Sequence, residues 1–259
     1  MDETLDSRRR LALAGAHNVR DLGGYRTRSG DITRWGRFLR ASSMHLLTDD
    51  DQEALVQYGL RTVVDLRRTD ETASEPNVFC RSAQVAYHHL NMIGDEGLET
   101  ELSQRYAQEL RAGARMEGDA DRIAYTYCGW LDQRQSMVRD ILQTLAAGPH
   151  AALFHCAAGK DRTGVTAALL LGLAGVPEET IVADYGLTAR FSVDHYQTLP
   201  GANPAVRTWE DYQRESCPPQ TMQMVLDHLA QDYGGCEGYM RAVGLGQEEI
   251  GRLRDGLLA

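Results

Sequence analysis

The sequence has 259 residues, a formal net charge of −10 and 42% hydrophobic residues, a composition typical of a soluble globular protein. No segment approaches the ~18 consecutive apolar residues of a membrane span, so we expect no integral membrane association. The acidic balance argues against a general nucleic-acid binder, and an odd number of cysteines, five, in a chain of this size argues against a disulfide scaffold. Residues 1–10 lack the apolar segment of a signal peptide, so we expect a cytoplasmic protein or one secreted without a cleaved signal.

The first predicted elements are two short extended segments, near residues 24–25 and 37–40. Thr48, followed by three aspartates, is typical of a capped helix start, and that helix is predicted to end at Gly59. Further along, strands are predicted over 60–66, which is β-branched and apolar, and over 85–90.

Residues 91–125 differ in character, because they combine four glycines with dense charges of both signs. Helical spacing over 98–111 predicts a helix within this segment. We interpret 91–125 as a helical insertion. It is either a lid over a functional site or a pair of surface helices without functional motion.

The second half of the sequence predicts a helix over 136–147, a short apolar strand over 151–155 and a very apolar helix over 162–174. Pro177 is favourable in a first helical turn, and the helix after it is predicted to reach about 191. Three or four more helices are expected over 204–258. Strands that alternate with helices predict a single α/β domain over 1–259, with a central, mostly parallel sheet flanked by helices.

The segment HCAAGKDRTG, residues 155–164, connects the apolar strand to the apolar helix by a tight loop. The N–H groups at a helix start are unpaired and carry partial positive charge, so such a loop binds anions. It contains no proline, and every amide can therefore donate into an anion-binding nest. We expect a phosphate or sulfate anion here, bound by Ala157, Ala158, Gly159, Lys160, Asp161, Arg162 and Thr163.

Two side chains give this loop its predicted chemistry. Cys156 lies at the base of the ring of donors, where amides, the helix dipole and nearby cations stabilise a nucleophilic thiolate. Arg162 returns over the loop, and its planar fork can hold two phosphoryl oxygens. Thr163 can donate a hydrogen bond to the sulfur. Because these groups supply positioning and charge neutralisation, we predict no metal and no cofactor.

The pattern Cys-x5-Arg-Thr resembles the signature of the cysteine-based protein tyrosine phosphatase superfamily. The full loop resembles that of bacterial phosphatases of the mycobacterial protein tyrosine phosphatase B type. Other similar segments are 18–25 (NVRDLGGY), 37–55 and 60–67. The resemblance covers at least 17–71 and 151–190. It implies a tyrosine-phosphatase-like fold and hydrolysis of phosphomonoesters through a cysteinyl-phosphate intermediate.

The general acid that protonates the leaving oxygen has two candidates, because no Trp-Pro-Asp motif exists in the sequence. Asp161 lies in the loop, and the resemblance implies that it is the acid in this group. Asp65 ends a predicted buried strand, at the sheet edge where α/β sites form. Its alternative role is structural, as a partner for a loop amide or for Arg162. We place Asp161 first.

Lys160 is the only lysine beside 26 arginines, and it lies within the loop. A second cation favours substrates with more than one phosphate, and similar lysines occur in phosphoinositide phosphatases. The expected substrate is therefore a phosphotyrosine protein or a phosphoinositide, with phosphoserine and phosphothreonine as further candidates. Arg67 and Arg68 are weaker candidates for side chains that reach the opening of the same phosphate site. A supporting role behind the site is expected for Asn18, Arg20 and Asp21.

Three other functions fit the sequence less well. A nucleotide-binding P-loop fails twice, because Phe154 stands at the position of its first glycine and Asp161 at the position of its Ser or Thr. A rhodanese-like sulfurtransferase also places a cysteine between a strand and a helix, but Arg162 favours phosphate chemistry. An inactive phospho-binding module is disfavoured by intact Cys156 and Arg162.

Overall fold

The computed structural model describes residues 8–95, 97–115 and 118–258. Its five strands form one sheet in the order β1-β2-β5-β3-β4. The strands are β1 (Arg20–Asp21), β2 (Phe38–Ala41), β3 (Thr62–Asp65), β4 (Ala86–His89) and β5 (Ala152–His155). Every neighbouring pair is parallel except β1 and β2.

Strand β5 is central and pairs with β2 on one side and β3 on the other. His155, its last residue, is in register with Ala41 of β2 and Asp65 of β3. Three parallel strands therefore end at the same level, and the segments that follow them converge at one edge of the sheet.

Helices cover both faces of this sheet. They are α1 (Asp49–Tyr58), α2 (Thr69–Ser74), α3 (Leu98–Arg111), α4 (Asp119–Gln133), α5 (Gln135–Ala147), α6 (Asp161–Leu173), α7 (Glu178–Thr198), α8 (Trp209–Ser216), α9 (Pro219–Tyr233), α10 (Cys236–Ala242) and α11 (Gln247–Leu257), with a 3-10 helix at Val78–Arg81. Leu153 belongs to the core cluster on one face and Phe154 to that on the other. Burial on both faces explains why β5 is a continuous apolar run.

The predicted α/β fold with a mostly parallel central sheet is confirmed. The predicted cap of α1 is present, because Thr48 accepts a hydrogen bond from the Asp51 N–H and Gly59 has a φ of 110°. Helix α3 spans the predicted 98–111. No helix among the described residues has the length and apolar character needed to cross a membrane.

Three details differ from the sequence predictions. The first extended segment is Arg20–Asp21, not 24–25, because Gly24 has a φ of 80° and lies in a turn. Helix α7 continues to Thr198 instead of ending near 191, since its end packs on α8 through Tyr196 and Tyr212, whose ring centroids are 4.7 Å apart. Helix α4 was not predicted, and the proposed insertion boundary at 125 falls inside it.

Candidate active site

The loop between β5 and α6 has its carbonyl groups bonded on its outer side. The Ala157 carbonyl accepts from the Ser43 N–H at 2.8 Å, and Asn18 Nδ2 donates to the carbonyls of Ala158 and Gly159 at 3.2 and 2.9 Å. Among the described residues, the N–H groups of 157–160 have no protein acceptor. These amides remain available to an anion.

Gly159 is needed for the loop to reach the sheet. Its φ is 65°, and a Cβ atom at this position would lie 2.3 Å from the Ala41 carbonyl oxygen at the end of β2. Any side chain would therefore move the loop away from the strand.

Behind the loop lies a group of four buried side chains, which we call the arginine cluster: Arg20, Arg40, Asp184 and Tyr25. Asp184 accepts from Arg20 Nε at 2.9 Å, from Arg40 Nη1 at 2.6 Å and from the Tyr25 hydroxyl at 2.8 Å. Both arginine side chains have no exposed surface. Two cations against one anion leave net positive charge behind the loop, which favours a bound anion.

The ionisation of this cluster follows from its contacts. Burial and the neighbouring Arg20 lower the pKa of Arg40 to about 10, so Arg40 is still charged at neutral pH. Burial alone would raise the pKa of Asp184, but the two arginines hold it well below its usual range. The carboxylate is therefore ionised.

The arginine cluster is joined to the loop by two contacts. Arg40 Nη2 donates to the Gly159 carbonyl at 2.9 Å. Arg20 Nη1 donates to Asn18 Oδ1, which turns the Asn18 amide nitrogen toward the loop. These contacts agree with the supporting role expected of Asn18 and Arg20. Asp21 instead accepts from the Gly23 and Gly36 N–H groups and the Tyr58 hydroxyl, so it supports a neighbouring turn.

Cys156 is 1% exposed at the base of the loop. Arg162 is held over it by Glu71, a residue that the sequence pattern does not indicate. Arg162 Nη1 and Nη2 donate to the two carboxylate oxygens of Glu71 at 2.6 and 3.1 Å. Burial lowers the pKa of Arg162, but Cys156 and Glu71 together raise it above its ordinary value. The Nε–H group has no acceptor among the described residues, which leaves this edge of the guanidinium for a phosphate.

Glu71 is itself fixed by its own helix. It also accepts from the Arg68 N–H at 2.8 Å, at the start of α2. The available signal was therefore local: an acid three residues after a helix cap is a common capping pattern. Nothing in that pattern indicates the contact with Arg162.

Asp161 is the first residue of α6, and its side chain is 33% exposed. The hydroxyl of Tyr127, from α4, donates to Asp161 Oδ1, and Tyr185 lies 3.1 Å from the same hydroxyl. Burial, followed by the charge of Asp161, raises the pKa of Tyr127 well above its ordinary value, so Tyr127 remains a donor. One carboxylate oxygen of Asp161 is thus held by α4, and Oδ2 is left for a reacting group.

Asp65 does not fit the role of general acid. It is fully buried, and it accepts from Arg67 Nε and Nη2 at 2.9 and 2.8 Å and from the Tyr87 hydroxyl at 3.0 Å. Burial alone would raise its pKa, but His155 and Arg67 hold the pKa far below the usual range. An enclosed and ionised carboxylate has no proton to transfer, so the alternative structural role fits better, with Arg67 as the partner.

Three basic residues predicted near the site have partners within the protein. Arg67 is buried in that ion pair, and Arg68 pairs with Asp70 at 2.7 Å. Lys160 donates to the Ser216 carbonyl at 2.8 Å, and its Nζ lies 3.6 Å from Asp161 Oδ1. Burial lowers the pKa of Lys160, but Asp161 raises it above its ordinary value, so Lys160 is charged.

The hydroxyl of Thr163 is buried without a hydrogen-bond partner among the described residues, so the expected bond to the sulfur is not observed. Among the same residues, no three His, Cys, Asp or Glu side chains form a group that could hold a metal ion.

Comparison with known proteins identifies the family. A family model described as the tyrosine phosphatase family matches residues 11–259. The chain belongs to this family. It is 32% identical over 230 residues to a tyrosine-protein phosphatase of Nostoc commune, covering 84% of this chain and 72% of that protein. It is 28% identical over 282 residues to the triple specificity protein phosphatase PtpB of Mycobacterium tuberculosis, covering 95% and 98%.

Among solved structures, TpbA of P. aeruginosa matches with a TM-score of 0.36 and 15% sequence identity, over 81% of this chain and 87% of that one. The resemblance stated from the loop and the N-terminal segment is confirmed by the family match.

Proposed function

We propose that this protein tyrosine phosphatase hydrolyses phosphotyrosine through a cysteinyl-phosphate intermediate on Cys156. The single observation that carries the proposal is the loop of 156–162. It joins a buried cysteine, amides without protein acceptors and an arginine held by Glu71 at the carboxyl edge of the central strand. Positioning and charge neutralisation are the two requirements of phosphoryl transfer, and this loop supplies both.

In the first step, the Cys156 thiolate attacks phosphorus and the bond from phosphorus to the tyrosyl oxygen breaks. Arg162 and the loop amides neutralise the charge on the phosphoryl oxygens. Asp161 gives the proton on Oδ2 to the leaving oxygen, while Tyr127 holds Oδ1. The products of this step are tyrosine and the cysteinyl phosphate.

In the second step, water attacks phosphorus and the bond from sulfur to phosphorus breaks. The Asp161 carboxylate takes a proton from that water and is ready for the next turnover. Inorganic phosphate leaves, and Cys156 returns as a thiolate. No metal takes part in either step.

The substrate range is a second part of the proposal. Activity on phosphoserine, phosphothreonine and phosphoinositides is supported by Lys160, and one relative bears the name triple specificity phosphatase. Lys160 already donates to Ser216, so a second substrate phosphate would share this ammonium. A location in the cytoplasm, or outside the cell without a cleaved signal, stays a prediction from the sequence.

The third part of the proposal is that residues 91–125 act as a lid over the site. Helix α3 packs on α4, where Tyr125 donates to Glu109 and its ring centroid lies 5.4 Å from that of Tyr106. Because Tyr127 lies on α4, a motion of 91–125 would disturb the hydrogen bond between Tyr127 and Asp161. Hydrogen exchange in α3 that slows when vanadate is bound would support a lid, and exchange that is unchanged would favour a static surface pair.

The central test is hydrolysis of p-nitrophenyl phosphate and a phosphotyrosine peptide. Cys156→Ser is expected to abolish both activities, and EDTA is expected to change neither. A matched control is Cys80→Ser, because Cys80 is exposed and outside the loop. The proposal fails if Cys156→Ser keeps near wild-type activity. For the substrate range, phosphoserine peptides and phosphoinositides are compared in wild type and Lys160→Ala.

A further inference from the structure

A groove of about 800 Å³ opens directly beside the phosphate loop. One side is formed by residues 10–18 and the other by the C-terminal part of α7. Ala157 and Ala158 of the loop form part of its wall. Its volume falls within the range of about 300–1,000 Å³ that is usual for ligand pockets. A molecule in this groove would lie against the same loop that holds the phosphate.

The groove carries exposed apolar side chains. Among the described residues, five large hydrophobic side chains are exposed, and two of them line this groove: Leu46, at 64%, and Leu199, at 43%. Single exposed leucines are ordinary on a protein surface, but two that face one concave site next to reactive groups indicate a binding surface. The ligand that fits them has an apolar side chain.

The charges around the groove do not fit a second phosphate or an anionic membrane. Glu75 and Asp194 line it together with Arg10. Glu75 Oε2 lies 3.4 Å from His45 Nδ1, so its negative charge lies at the opening of the groove. A surface that binds phosphate groups or an anionic leaflet carries clustered lysines or arginines, and the net charge of −10 opposes such a leaflet.

Two stacked histidines also lie in the groove, His17 and His195, with ring centroids 3.8 Å apart. Burial and the neighbouring His195 lower the pKa of His17 to about 4, so the His17 ring is neutral at pH 7. This ring therefore adds a flat, uncharged surface rather than a cation.

We propose that this groove binds the polypeptide next to the phosphotyrosine, with an aliphatic side chain of the substrate packed on Leu46 and Leu199. The inference rests on the proposed function, because the loop must hold the phosphotyrosine for the groove to meet its neighbours. The preferred substrate is a phosphoprotein, not a membrane lipid.

The test compares kcat/KM for three probes: a phosphotyrosine peptide with leucines on both sides, the same peptide with alanines, and p-nitrophenyl phosphate. Wild type is expected to prefer the leucine peptide. In the double variant Leu46→Ser, Leu199→Ser, kcat/KM for the leucine peptide is expected to fall about tenfold relative to p-nitrophenyl phosphate, because part of two leucine contacts is lost. The control is Ile32→Ser, since Ile32 is 48% exposed and lies outside the groove.

The fourth probe is a phosphatidylcholine vesicle that contains a phosphoinositide. If the double variant slows hydrolysis on the vesicle but not on the peptide, the groove serves a lipid and the inference is overturned. It is also overturned if wild type does not distinguish the two peptides, or if the double variant keeps the wild-type preference. Loss of all activity in Cys156→Ser, combined with either result, would leave the proposed function standing.

Discussion

The arginine cluster gives the most demanding prediction, through the variant Asp184→Asn. Asp184 is 1% exposed and accepts from Arg20, Arg40 and the Tyr25 hydroxyl with its two carboxylate oxygens. Asparagine has one oxygen and one NH₂ group, so at least one of these three contacts becomes donor against donor. The buried charge of the cluster rises by one at the same time.

The expected loss follows from these contacts. Removing one partner of a buried ion pair costs about 3–5 kcal/mol, because a charge remains buried without compensation. Natural domains have free energies of unfolding of about 5–15 kcal/mol, so the loss is about a fifth of the stability or more. The same variant is expected to raise KM, since Arg20 orients Asn18 and Arg40 binds the Gly159 carbonyl.

Urea unfolding followed by circular dichroism measures the first effect, with the midpoint expected to fall while the slope is unchanged. The matched control is Glu179→Gln, an acid-to-amide change at an exposed position of α7, with an expected cost below about 1 kcal/mol. A loss below about 1 kcal/mol for Asp184→Asn would refute the reasoning.

The stability of the wild type is expected to fall at acidic pH. The pKa of Asp184 is lowered in the folded state, so its stabilisation is present above the unfolded value of about 3.9 and is lost as pH falls below it. In Asp184→Asn, the loss of stability below pH 4 is expected to be smaller than in the wild type. The urea midpoint at each pH measures this difference.

Three more predictions concern activity. Glu71→Gln is expected to lower kcat/KM for p-nitrophenyl phosphate about tenfold, mainly by raising KM, because Arg162 loses its charged partner. Tyr127→Phe is expected to slow phenyl phosphate about tenfold and p-nitrophenyl phosphate less, because p-nitrophenolate leaves with little help from Asp161. Gly159→Ala is expected to abolish measurable activity, because its Cβ has no room against β2; a fluorescence anion-binding titration would show the loss of the nest.

Each of these variants has a control in the same chain. Asp70→Asn removes an exposed acid next to Glu71, and Tyr125→Phe removes a hydroxyl on α4 that faces Glu109. Gly251→Ala adds a methyl group where no atom lies within 4 Å. If a control changes activity as much as its partner, or if Tyr127→Phe slows both esters equally, the assigned contact is not the cause.

The loop could be predicted from the sequence because its parts are contiguous. Strand β5, Cys156, Gly159 and Arg162 follow one another within eleven residues (152–162), and elementary rules for helix starts place their donors. The two strands β3 and β5 were predicted for the same reason, since each is a short, buried and mainly apolar run. Helix α4 has a recognisable pattern, because Ile123, Tyr127, Trp130 and Leu131 follow the i, i+4, i+7, i+8 spacing of one helix face. It was missed because the insertion boundary at 125 divides this pattern.

The supporting contacts could not be predicted, because they join distant parts of the chain. Arg20 and Asp184 are 164 positions apart, and Glu71 and Arg162 are 91 apart. No periodic pattern relates such residues. Asp65 shows a further limit, because its place at the sheet edge was correct while its ionisation depends on Arg67 and on His155 of another strand.

The contact of Lys160 with Ser216 has a practical consequence for chemical labelling. This sequence has one lysine side chain, it is 17% exposed, and its ammonium is bonded to the end of α8. An amine-reactive acylating reagent can modify it only when that contact opens and the amine loses its proton. Its acylation rate, read by mass spectrometry, therefore reports directly on the opening of the segment beside the reactive cysteine, without any engineered label.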